Sequence, residues 1–147
     1  MHLRILTVGK PKLAYAKAGV EEYVSRLKPW GGVRMEHLKA AGAAAESAAF
    51  LERSEGCLRV VLDERGEQVT SRALAGRFAA WEGQGTVKTV VFLVGGADGH
   101  APVLRARADW VWALGPLTLQ HELALVVLLE QLYRARTILT GAPYHRD

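Results

Sequence analysis

The chain has 147 residues, half of them apolar, enough for a sizeable core in a single compact domain. Its one cysteine, Cys57, excludes a disulfide framework, argues against a zinc cluster and suits a reducing compartment; no metal is expected. The first residues, MHLRILTVGK, lack a signal-peptide core, and no apolar run nears the roughly 20 residues that span a bilayer, so a cytoplasmic protein without a membrane partner is expected.

Residues 3–8 (LRILTV) read as a strand closed by Gly9. Over 13–27, Ala16, Val20, Tyr23, Val24 and Leu27 recur at helical spacing, opposite Lys17, Glu21, Glu22 and Arg26. Pro29, Gly31 and Gly32 end that helix, and 33–38 alternate as a half-buried strand. The alanine-rich stretch 42–55 predicts a helix stopped by Gly56. A strand at 58–62 is followed by a loop at 63–66 and a helix at 71–81. Residues 88–94 (KTVVFLV) form the most strand-like stretch, suited to a central position covered on both faces. The glycine turn 95–99, a short helix at 101–107 and a last strand at 109–114 follow. A long helix at 120–139 is apolar all round at 123–129, so two of its faces need cover, one from the sheet and the other from a second subunit. The alternation predicts an α/β fold with a mainly parallel sheet flanked by helices.

Charge is uneven along the chain. Residues 1–40 hold eight lysines and arginines against three glutamates, although the whole chain is only +4. Such a segment suits either a polyanion-facing surface or a solvated lysine-rich face, with Lys10, Lys12 and Lys17 its leading RNA-facing candidates.

In open α/β sheets ligands sit at the carboxyl ends of strands. Three loops answer that description: 63–66, 95–99 and 115–120. Gly95 and Gly96 permit positive φ and close approach of a ligand to bare backbone, though a tight strand-to-helix turn explains them equally. The sequence there is neither a Walker A loop nor a full dinucleotide-binding pattern. The loop GPLTLQ offers backbone amides and carbonyls, the Thr118 hydroxyl and apolar walls, a better match to an adenine edge than to a phosphate. Thr118 doubles as a candidate helix cap. His121 alone reads as a capping or surface residue, and Arg134 pairs with Glu130 at i, i+4. Tyr144, His145 and Arg146 together combine a base-stacking ring, a proton acceptor near neutrality and a phosphate-gripping fork.

The stretches FLVGGADG at 92–99, LTLQHELALVVLLEQLYRARTI at 117–138 and PYHR at 143–146 resemble the ribosomal RNA large subunit methyltransferase H family of the SPOUT superfamily. LRILTVGK and VVLDERG are similar too, and the likeness runs from end to end. The resemblance implies one SPOUT domain over residues 1–147 with a C-terminal trefoil knot, an exception to the usual absence of knots. It implies a homodimer and S-adenosylmethionine held by Leu62, Gly96, Gly115, Pro116, Leu117, Thr118, Leu119 and Gln120. The substrate it implies is a pseudouridine of 23S rRNA in the assembled ribosome, methylated at N3. His121 and Arg134 become substrate contacts, and Tyr144, His145 and Arg146 the catalytic set with His145 as base. Gln120 stands where the family usually has proline, so a small loss of preorganisation is expected at the start of the helix. Two other functions fit parts of the pattern: a non-catalytic RNA-binding dimer, and a small-molecule sensor that keeps its ligand in the sheet crevice.

Overall fold

The computed structural model describes the whole chain, Met1–Asp147. Strands β1 (His2–Val8), β2 (Arg34–Leu38), β3 (Leu58–Gln68), β4 (Thr89–Val94) and β5 (Trp110–Ala113) form one parallel sheet in the order β2-β1-β4-β3-β5. Helices α1 (Ala14–Leu27), α2 (Ala43–Arg53), α3 (Ser71–Gln84), α4 (Pro102–Ala106) and α5 (His121–Thr140) connect or follow the strands.

The two-residue period of a strand divides the core. Leu3, Ile5, Val60, Val90 and Phe92 point into one layer, closed by Leu27 of α1, Phe78 of α3 and Leu128 of α5. Their chain neighbours Leu6, Val61, Val91 and Leu93 point into the other, closed by Phe50 of α2 and Leu104 of α4. The apolar run of β4 thus lies mid-sheet and is buried on both sides, as a continuous hydrophobic strand requires.

The apolar girdle of α5 is largely accounted for within this chain. The helix packs between α1 and α3 over the sheet. Leu123 and Leu139 remain more than a third exposed.

β3 departs from the expected strand and loop. It continues to Gln68, and Trp112 of β5 pairs first with Leu62 and then with Glu67. Residues 63–66 are the excursion between those two registers. Gly66 crosses directly over the Val111–Trp112 peptide; a Cβ there would lie 2.5 Å from the Val111 oxygen. Glu67 fixes the second register by accepting the Trp110 indole N–H at 2.8 Å. Sequence pattern misses this continuation because 63–66 carry turn-type residues and the pairing is long-range.

Gly66→Ala is therefore expected to destabilise the fold by about 1–3 kcal/mol or more, since backbone on backbone cannot yield as a side chain can. Urea unfolding checks this; a variant within about 0.5 kcal/mol of the parent, the usual range for an unconstrained site, would mean the crossing tolerates a methyl group.

Candidate active site

The three loops expected to matter do meet. The 63–66 excursion of β3 and the loops following β4 and β5 enclose a cleft of about 570 Å³ at the carboxyl edge of the sheet. Leu62, Gly96, Gly115, Leu117, Thr118, Leu119, Gln120 and His121 all line it; Pro116 lies in the same loop but not on the wall. The volume suits a ligand of cofactor size.

The glycines of the turn serve differently than expected. Gly95 and Gly96 do not have positive φ; within 95–99 only Gly99 does, at +69°. What they supply is space. A Cβ on Gly96 would meet Val8 at 3.1 Å, and one on Gly95 would meet the His100 ring at 3.2 Å.

Asp63 anchors one wall. Its carboxylate accepts the Arg65 backbone N–H at 2.9 Å and Arg105 Nη1 at 3.3 Å. Burial pushes its pKa up, but the Arg65 amide and the Arg105 charge outweigh burial and hold it below the ordinary value. Arg105 also donates to the His100 carbonyl at 3.1 Å, tying the 63–65 turn to the stretch after β4. Across the mouth, the Thr118 hydroxyl donates to Glu64. Asp63, Glu64 and Asp98 thus face the cleft against Arg65, and no lysine lines it. That sign repels a di- or triphosphate and favours a ligand carrying positive charge.

Thr118 is not the helix cap. Gln120 takes that place, its Oε1 accepting the backbone N–H groups of Glu122 at 2.8 Å and Leu123 at 3.0 Å. A glutamine side chain here bonds the free amides of the first turn, which compensates for the rigidity a proline would give. Glu122 in turn accepts the Lys12 and Leu13 amides at 2.6 and 3.0 Å, holding the 10–13 stretch against the start of α5. Lys10 and Lys12 are therefore exposed beside His121.

The remaining expected residues form a second cluster. Tyr144 donates to Glu130 at 2.9 Å, and Arg134 pairs with the same carboxylate. The Arg134 guanidinium also lies 4.7 Å from the centre of the Tyr144 ring. Burial and the neighbouring Tyr23 and Glu130 raise the Tyr144 pKa, so it stays a neutral donor. His145 Nδ1 faces Arg134 Nη1 at 3.1 Å and its Nε2 faces Asp147 at 2.9 Å. A guanidinium only donates, so Nδ1 is the acceptor and Nε2 carries the proton. Arg146 is exposed. Glu130 lies nine residues beyond His121, about 13 Å up the helix axis. Within one chain the cleft and the tail cluster are thus separate.

A family model described as "Predicted SPOUT methyltransferase" matches residues 1–145. The chain belongs to the SPOUT methyltransferase family. Within that family it is 47% identical over 146 residues to the ribosomal RNA large subunit methyltransferase H of a Thermus thermophilus strain, covering 99% of each chain. It is 44% identical to the protein of the same name from Deinococcus radiodurans, again with 99% of each covered. These similarities bear out the resemblance drawn from the motifs. Among solved structures, a probable methylase family protein from Haemophilus influenzae Rd KW20 superposes with a TM-score of 0.61 at 11% identity, over 99% of this chain and 70% of that one; this likeness concerns the fold.

Several groups in this site carry no motif signal. Glu64 lay in a recognised loop, but its bond to Thr118 spans 54 positions. His100 gave no signal beyond following Gly99. Its ring is packed edge-on to Phe50 at 5.6 Å, and neither nitrogen closes a full hydrogen bond. Burial lowers its pKa from 6.5, against the pull of Asp63 and the Leu93 and Leu62 carbonyls.

That shift has a definite sign. The unfolded chain takes up a proton near pH 6.5 while the folded imidazole does not, so stability falls as pH drops from 6.5 through the folded value. His37, also lowered mainly by burial, acts in the same direction. His100→Leu is expected to flatten this acid-side loss in urea unfolding followed from about pH 7 to pH 5, around the ordinary histidine pKa. An unchanged slope would show that the imidazole is solvated in the folded state.

Proposed function

We propose that this chain methylates N3 of a pseudouridine in 23S rRNA of the assembled ribosome, using S-adenosylmethionine, as a cytoplasmic homodimer. The observation that carries the reading is the chemistry of the cleft. Neutral backbone of the 115–120 loop suits an adenine, and the carboxylates Asp63, Glu64 and Asp98 suit a ligand with cationic sulfur and nitrogen. Family membership and the names of the relatives support the same substrate class.

Bound there, S-adenosylmethionine supplies an electrophilic methyl group. The protein's part is to hold the nucleobase in line with that methyl and to remove the N3 proton. His145 is the base in this reading, and it acts once Arg134 turns from Nδ1. Arg134 or Arg146 then balances the charge that develops on the base. His121 guides the nucleotide at the cleft, and Tyr144 offers a stacking ring. Lys10 and Lys12 face the rRNA backbone.

A second copy supplies the tail to each cleft. Two features support this arrangement. The tail cluster stands away from the cleft of its own chain, and Leu13, Tyr15, Leu117 and Leu123 leave exposed apolar surface near the cleft and the first turns of α1 and α5. The family's trefoil threading belongs to the same proposal, consistent with the crossing of 63–66 over β5.

Mass mapping of modified rRNA from cells with and without the gene tests the reaction directly. Loss of one N3-methylpseudouridine on deletion is the expected result; an unaltered map overturns it. A non-catalytic RNA-binding dimer predicts no heat on titration with S-adenosylmethionine, whereas the methyltransferase reading predicts binding. His145→Ala is expected to lower turnover by about 10²–10⁴-fold, the usual range for removal of a general base, with ribosome binding retained. Turnover at the full rate would remove His145 as the base. Joint replacement of Lys10, Lys12 and Lys17 is expected to flatten the salt dependence of ribosome binding, by up to roughly one unit of log–log slope for each phosphate no longer neutralised. An unchanged slope takes them out of the interface.

A further inference from the structure

Arg72, in the first turn of α3, closes on the carboxylate of Asp147 with two nitrogens. Nε lies 2.8 Å from Oδ1 and Nη2 lies 2.6 Å from Oδ2. His145 Nε2 donates to the same carboxylate at 2.9 Å, giving that anion a third donor. Both charged partners are open to water, with 59% of the Arg72 side chain and 67% of Asp147 exposed. Arg134 approaches the far side of the imidazole, and the exposed Arg146 stands next in sequence without an ionic partner. Arg72 and His145 lower the Asp147 pKa, and the exposed carboxylate is an anion at neutral pH.

The geometry is that of arginine on a phosphate. A planar fork of two N–H groups on two oxygens of one anion matches the non-bridging oxygens of a phosphodiester, and an imidazole N–H beside it completes the set. We propose that Arg72 and His145 Nε2 form a phosphodiester subsite for the rRNA backbone beside the target nucleotide, and that Asp147 fills it in the RNA-free protein as an internal mimic. The inference rests on the rRNA methyltransferase reading above.

Exchange of one anion for another costs little here. An exposed ion pair holds its partner by no more than about fivefold, so a phosphate arriving with the rest of an RNA surface displaces it. The displacement also removes the ion pair between the tail and α3. With His145 still donating to the incoming phosphate, the tail stays beside α3 and the target nucleotide is held next to it.

Two substitutions test this in the full-length protein, by pelleting with purified ribosomes over a series of salt concentrations. Asp147→Asn is expected to tighten binding by up to about fivefold, because the competing charge is gone. Arg72→Ala is expected to weaken binding and to reduce the log–log salt slope by about one. In the Arg72→Ala background, Asp147→Asn should lose most of its benefit, since the two act at one position. Affinity for S-adenosylmethionine, read by calorimetry, should match the parent in each variant. The subsite is overturned if Asp147→Asn leaves binding unchanged or weakens it, or if Arg72→Ala keeps the parental slope. It is equally overturned if Arg72→Ala loses cofactor affinity along with RNA, which marks the pair as structural. A parent protein that binds neither ribosomes nor S-adenosylmethionine sinks the methyltransferase reading itself, before any variant is compared.

Discussion

β3 meets β5 twice, and the site depends on that double engagement. Leu62 and Glu67 both pair with Trp112, so the four residues between them must rise off the sheet and return. Gly66 permits the return because its missing side chain leaves room for the Val111–Trp112 peptide. The rise carries Asp63 and Glu64 to the rim of the cleft, near where the chain leaves β5 for the 115–120 loop. From there Glu64 can reach Thr118, and Asp63 can reach Arg105. A simple strand ending at Leu62 would have no reason to bring those carboxylates over the next loop but one.

The charges then sort into two districts. The cleft is edged by carboxylates, while the tail gathers arginine, histidine and tyrosine around Glu130. A cationic cofactor and an anionic nucleic acid call for opposite surroundings, and a methyltransferase of RNA has to hold both at contact distance. Glu130 makes the cationic side workable. By taking Arg134 through two nitrogens and Tyr144 through its hydroxyl, it fixes two side chains without burying an unpaired charge. The lysines of the first forty residues extend the cationic side. Lys10, Lys12, Lys17, Lys28 and Lys39 are exposed and outside any ion pair, whereas Arg4, Arg26 and Arg34 are paired to glutamates.

Much of this was legible in the sequence where the cause was local. The strands and helices follow from period and punctuation, and the continuous apolar run of β4 announced its central, doubly covered place. The convergence of three loops followed from the rule of carboxyl edges. What was not legible came from long-range pairing. Turn-type residues at 63–66 hid a strand that goes on to Gln68. Gly95 and Gly96 were expected for positive φ and instead yield space to His100 and Val8, neighbours that only the fold supplies. Thr118 was a reasonable cap by residue type, yet its hydroxyl is taken by Glu64 and Gln120 caps in its stead. Arg72 and Asp147 stand 75 positions apart, so no window of sequence could have joined them.

The tail geometry bears on how the proposed reaction begins. With Nδ1 accepting from Arg134 and Nε2 donating to Asp147, the His145 ring has no lone pair left for a nucleobase proton. Arg134 keeps two of its nitrogens on Glu130 and spends only Nη1 on the imidazole. A guanidinium N–H makes a charge-assisted hydrogen bond, and it can move between acceptors of similar strength. A carbonyl oxygen beside N3 of an incoming pyrimidine accepts Nη1 as well as the imidazole does, and in taking it uncovers Nδ1 before any proton moves. On this view the substrate itself opens the base that deprotonates it. The negative charge that develops as N3 gives up its proton to Nδ1 then strengthens that same bond to Arg134.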